Sequence, residues 1–91
     1  MLLLSRDQAY RILHHVTVAE VTTTVRRIPV EVALGREEGL PRACVANLDN
    51  IHAVATARLV RRIGRLAPSR AVEVERALGY ALDITRLKEL A

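Results

Sequence analysis

Phenylalanine and tryptophan are absent from this 91-residue chain, and aromatic character rests on two tyrosines. A core without large rings has to be assembled from Leu, Val, Ile and Ala. A chain of this length buries only roughly 60–65% of the surface its unfolded form exposes. Apolar surface shared between copies is therefore expected, which predicts an oligomer. The single Cys44 closes no internal disulfide, in keeping with a reducing compartment; it reads as a small apolar residue and not as a nucleophile. No CxxC, HExxH, Walker-type loop or GxGxxG occurs, so the familiar metal, nucleotide and dinucleotide sites have no foothold and no cofactor is expected. No apolar run approaches the ~20 residues that a bilayer demands. Met1-Leu2-Leu3-Leu4 resembles the opening of a signal peptide, but Ser5-Arg6-Asp7 interrupts it too early. The expectation is a cytoplasmic protein with no membrane partner, forming one domain over residues 1–91.

What is present is hydrophobicity and arginine. The 51% hydrophobic content is too high for intrinsic disorder. Fourteen basic residues against ten acidic ones leave a formal charge of +4, and all the basic residues but Lys88 are Arg. Arg offers a planar fork that matches phosphate, where Lys is a point charge. The excess fits a nucleic-acid partner, and fits equally a general bias toward arginine.

Along the chain, Leu2 to Leu4 reads as a strand and Asp7 to Leu13 as a turn of helix or a loop. Val16 to Val25 is dense in β-branched residues, the strongest strand composition here. Ile28, Val30, Val32 and Leu34 alternate with other residues in a period of two, with Pro29 marking an edge or an entry point. Gly35 to Arg42 is a polar loop. Ala43 to Leu48 predicts a strand, Asp49-Asn50 a turn and Ile51 to Val54 a short strand; Leu59 to Leu66 is ambiguous between strand and helix, with a strand ending at Gly64 to Leu66 favoured. Pro68 opens a helix at a position where a missing N–H costs nothing, with Ala71, Val74, Ala77, Leu78, Ala81 and Leu82 as its apolar stripe. Thr85 to Ala91 is a charged tail that extends this helix or frays. Five or six short strands and a terminal helix describe a mainly β (α+β) fold, a small bent barrel-like sheet covered by helix.

The segment Thr22-Thr23-Thr24-Val25-Arg26-Arg27 concentrates the candidate chemistry. Three hydroxyls at a strand end followed by two guanidiniums can hydrogen-bond and neutralise a phosphodiester. Thr23, Thr24, Arg26 and Arg27 are accordingly candidate RNA-binding residues. The bland alternative is that Thr is a good strand former and Arg26-Arg27 a solvated turn. His14 and His15 would face opposite ways on a strand, and His52 reads as solvated or at the edge of the core. Glu37-Glu38 reads as a solubilising pair, and Asn47, Asp49 and Asn50 as turn formers.

In order and spacing, several pieces resemble the MazF/PemK family of toxin endoribonucleases. They are Leu2-Leu3-Leu4-Ser5-Arg6-Asp7, Val16-Thr17-Val18-Ala19 running into Thr22-Thr23-Thr24-Val25-Arg26, Ile28-Pro29-Val30-Glu31-Val32, Gly39-Leu40-Pro41-Arg42, Val45 through Ile51, and Ile63-Gly64-Arg65-Leu66. The likeness spans residues 1 to about 84. It implies an SH3-like barrel, a homodimer, metal-free cleavage of single-stranded RNA at a short sequence, and inhibition by a cognate antitoxin protein (MazE-like). It also implies that Thr22 is the catalytic hydroxyl residue. The family pattern carries an N-terminal strand, a loop and an Arg-Pro ahead of the position where this sequence starts. On that pattern the expected fold is a barrel truncated at its N-terminus, with weak or no cleavage. The alternative is a non-catalytic relative that dimerises and binds antitoxin or RNA. A basic β-barrel binding duplex DNA through phosphates is a third possibility.

Overall fold

A computed structural model describes residues 1–6 and 8–90. Asp7, expected just past the first strand, and Ala91 of the tail lie outside the described residues. Four strands, β1 (Leu2–Leu3), β2 (His15–Thr22), β3 (Glu31–Leu34) and β4 (Cys44–Ala55), form one antiparallel sheet in the order β1-β2-β4-β3. Among the described residues there are three α-helices, α1 (Ala9–Ile12), α2 (Ala71–Leu82) and α3 (Thr85–Lys88). The sheet is a curled half-barrel backed by the C-terminal helices.

The expected turn at Asp49-Asn50 is not a turn. Cys44 to Ala55 runs as one twelve-residue strand, and the pieces predicted on either side of that turn are its two halves. Its pairing with β2 slips in the middle: Ala19 lies opposite Ile51, but Glu20 lies opposite Asn47. Leu48, Asp49 and Asn50 are thus extra residues on β4, a bulge of the kind that bends a strand and tightens its twist. The Asn47 side chain accepts the Asp49 N–H at 2.9 Å, a local bond that mimics a turn within the bulge. The polar turn formers here mark a bend within a strand and not its end.

Two further expectations are corrected. Leu59 to Leu66 is not a strand: a 3-10 turn at Thr56–Arg58 leads into irregular chain as far as Ala67. Its arginines, Arg61, Arg62 and Arg65, keep that segment wet, with Val60 93% and Ile63 63% exposed. Instead of pairing, it backs onto the Gly35–Leu40 loop, where a Cβ on Gly64 would collide with the Glu38 carbonyl. The third strand is shorter than its alternation implied, because residues 29–30 form a turn before Glu31.

Alternation along β2 serves two small cores. Val16 and Val18 join Val54 and Ala9 of α1 on one face, while Ala19 joins Val32, Leu34, Cys44, Ala46 and Leu48 on the other. Helix α2 covers the second group with Ala77, supported by Val74, Leu78 and Ala81. That is most of the predicted stripe. Pro68 opens a short 3-10 turn before α2, and Ala67 caps it only through backbone, its carbonyl taking the Arg70 N–H at 2.9 Å. Asp83, in the left-handed region at φ 54°, ends α2 and folds α3 back onto Gly79, where a Cβ would overlap Leu87 and the Lys88 backbone. The tail expected to extend α2 or fray is in fact this separate short helix. Among the described residues no helix is long and apolar enough to cross a membrane.

Candidate functional site

Thr22 is the last residue of β2 and pairs with Val45. Its hydroxyl accepts the Thr24 N–H at 3.1 Å, which turns the chain away from the ladder. The connection that follows must pass over β4, since β2 and β3 flank that strand. Glu31, at the start of β3, holds it there. One carboxylate oxygen accepts the N–H of Arg26 at 3.0 Å and of Arg27 at 2.9 Å, and the second lies 3.3 Å from the Arg26 nitrogen. Arg27 takes φ 58°, a conformation costing roughly 1–2 kcal/mol for a residue with a Cβ. Successive N–H groups turned toward one anion are a backbone nest, and here the anion is internal.

Register shows which face this occupies. Glu20, Asn47 and Glu31 form one cross-strand row, and Thr22 is two residues beyond Glu20 on the same side of the pleat. The Thr22 hydroxyl and the Arg26–Arg27 loop therefore share a face, as a phosphodiester partner requires. Both arginines are exposed, and among the described residues neither guanidinium makes a hydrogen bond or ion pair. Thr23 and Thr24 are exposed at the loop's start.

Beside Thr22 a cleft of about 240 Å³ opens where β2 and β4 part, between Val21–Thr23 and the Leu40–Arg42 loop, with Cys44 on its floor. Burial raises the Cys44 thiol pKa above its ordinary value, and Glu38 adds to the shift, so the thiol stays neutral and serves as packing. Arg42, an exposed guanidinium on the cleft wall, was not singled out by sequence; its only signal was a charge beside Pro41. Glu31 was equally hidden, because its spacing from Arg27 looks like ordinary strand alternation.

The remaining candidates fall elsewhere. His15 begins β2 at the opposite end from Thr22, about 23 Å away at strand rise, and His14 precedes it. His52 is exposed, and its Nε2 lies 2.6 Å from Glu20 Oε1 in a cross-strand pair. Glu37 is exposed, whereas Glu38 accepts the Gly35 N–H at 2.7 Å and faces Arg70 at 3.3 Å. That is a structural role for half of the pair read as solubilising. Among the described residues no group of His, Cys, Asp and Glu has the grouping of a metal site.

The family model described as PemK-like, MazF-like toxin of type II toxin-antitoxin system matches residues 1–82. The probable endoribonuclease MazF5 of Mycobacterium tuberculosis (strain ATCC 25618 / H37Rv) is 40% identical over 87 residues, covering 94% of this chain and 80% of that protein. Endoribonuclease MazF3 of the same strain is 36% identical over 84 residues, covering 92% and 82%. The solved Mycobacterium tuberculosis toxin MazF-mt6 superposes with a TM-score of 0.86 at 36% identity, covering 90% of this chain and 83% of that one. An endoribonuclease in complex with its cognate antitoxin, from a mycobacterial species, gives a TM-score of 0.77 at 30% identity, over 90% and 78%.

Proposed function

Because the chain belongs to the PemK-like, MazF-like toxin family of type II toxin–antitoxin systems, we propose that it is the toxin of such a pair, a cytoplasmic endoribonuclease acting on single-stranded RNA without a metal and held inactive by its own antitoxin protein. The observation that carries this reading is the shared face of Thr22 and the Glu31-held Arg26–Arg27 loop. Cleavage proceeds by attack of a ribose 2′-oxygen on the adjacent phosphorus. The 2′-hydroxyl gives up its proton to water, the 5′-oxygen leaves and takes one from water, and the products end in a 2′,3′-cyclic phosphate and a 5′-hydroxyl. Charge develops on the phosphorane oxygens, where the Arg26 and Arg27 guanidiniums neutralise it and the Thr22 hydroxyl donates a hydrogen bond. Thr23 and Thr24 hold the flanking backbone.

A threonine hydroxyl is a poor base near neutral pH, and Glu20, the nearest carboxylate on its face, is engaged with His52. Slow cleavage is therefore expected. The same observation favours a second reading, a non-catalytic family member that binds RNA and antitoxin without cutting. Incubation with a long unstructured RNA in EDTA decides between them. Cyclic-phosphate ends that vanish in Thr22→Ala support the enzyme. Binding without any cut supports the second reading. The exposed apolar side chains Leu3, Ile12 and Leu13 support a homodimer. Light scattering at micromolar concentration tests it, and a strictly monomeric folded species overturns it.

A further inference from the structure

The cleft beside Thr22 has a chemistry that the phosphate-binding loop does not use. Its volume, about 240 Å³, is below the roughly 300–1,000 Å³ of drug-sized sites, which leaves room for one flat ring system. Its walls are the apolar surfaces of Val21, Leu40 and Pro41, with Arg42 as the charged group. Among the described residues Arg42 has no hydrogen bond or ion pair, so its fork is free to meet a ligand.

The wall that carries Arg42 is held in place. Gly39, at φ 89°, packs on the Ile63 carbonyl and the Gly64 Cα, where a side chain would not fit. The Leu40 N–H bonds the Gly35 carbonyl at 3.1 Å. Glu38 is tied to the Gly35 amide and to Arg70. A wall held in this way selects shape, whereas a loose loop would adapt to any.

An arginine has five donors and no acceptor. It discriminates in favour of a ring edge that offers two adjacent acceptors, and guanine offers O6 and N7, the commonest specific arginine contact to a base. Adenine places a donor beside N7 and is refused. Unstacked bases of single strands expose these edges. We propose that this cleft takes a guanine base of single-stranded RNA next to the phosphate held at Thr22, with Arg42 reading O6 and N7. The inference rests on the RNA reading above and adds to it a base and the residue that recognises it.

The probe is fluorescein-labelled octauridine carrying guanosine, adenosine, inosine or 7-deazaguanosine at its fourth position, with binding followed by anisotropy in EDTA. Guanosine and inosine, which share O6 and N7, should bind about ten- to a hundredfold more tightly than adenosine. Loss of N7 in 7-deazaguanosine should remove most of that gain. Arg42→Lys keeps the charge without the fork, so it should erase the preference of guanosine over adenosine. An equal preference in Arg42→Lys, or none in the unmodified protein, overturns the guanine assignment and leaves the RNA reading standing. Folded protein that binds none of these RNAs overturns both.

Discussion

The Glu31 carboxylate accepts the Arg27 N–H at 2.9 Å and thereby holds Arg27 at φ 58°. A residue at the head of β3 thus sets the course of the loop that leaves Thr22, and it does so through backbone, leaving the guanidinium free. Removing the carboxylate in Glu31→Ala costs its charge-assisted hydrogen bonds, each worth about 1.5–3 kcal/mol at most in a buried setting and less at this exposed one. A loss of about 1–2 kcal/mol is expected from urea unfolding. Arg27→Gly, which relaxes the left-handed strain, should be neutral or stabilising by up to about 1 kcal/mol. A destabilised Arg27→Gly would show that its side chain, and not the nest, holds the loop.

Arg26 separates its two roles cleanly. Its amide is held by Glu31, so Arg26→Ala leaves the loop bonded and removes only the guanidinium. RNA affinity should fall about equally for different sequences, and the slope of log K against log salt should lessen by about one. An unchanged slope returns Arg26 to a solvated turn.

How much of this was legible follows the range of the interactions. The β-branched run at Val16 to Val25 and the stripe from Ala71 to Leu82 are local patterns, and both elements are where the sequence put them, though β2 stops at Thr22. The bulge at Leu48–Asn50 was invisible because polar turn formers in a bent strand and in a real turn are the same residues; only the partner register distinguishes them. The Leu59 to Leu66 segment is not the favoured strand because a strand needs a partner to pair with, and its neighbour is a loop. At the site, Thr22 and its flanking arginines were readable as a contiguous run. Glu31 and Arg42 join them only through tertiary placement.

Gly64 tests the packing that shapes the cleft. A methyl at this position would overlap the Glu38 carbonyl, which is backbone and cannot rotate away. Gly64→Ala should cost more than about 2 kcal/mol, in the range of overpacked sites, and weaken RNA binding at temperatures where the protein stays folded. Gly35→Ala is the control: the nearest atom to its added methyl is the Ala43 Cα at 3.9 Å, an ordinary contact. Its effect should stay below about 1 kcal/mol. Equal thermal shifts in the two variants would show that the Gly64 approach is not constraining the loop.

Acid stability has a defined sign at the other anchor of that loop. Arg70 donates to Glu73 through Nε and Nη2, both at 2.8 Å, to the Ala33 carbonyl at 2.6 Å, and to Glu38 at 3.3 Å. The hydrogen bond from Arg70 holds the Glu73 carboxyl below its ordinary value, against a smaller opposing effect of burial. A carboxylate whose pKa is depressed by folding contributes stability above its unfolded value, about 4.3, and loses it as pH falls through the folded value. The Glu73 side chain is 46% exposed, so solvent screening limits the contribution to no more than about 1 kcal/mol. Glu73→Gln should therefore be less stable than the parent at pH 7 by up to that amount, with the gap closing below pH 4 as the parent's carboxyl protonates. Urea midpoints measured at steps from pH 7 to pH 3 check this. A gap that persists unchanged at pH 3 would mean that the Gln substitution disturbs packing, and that the Arg70 charge is satisfied by Glu38 and the Ala33 carbonyl alone.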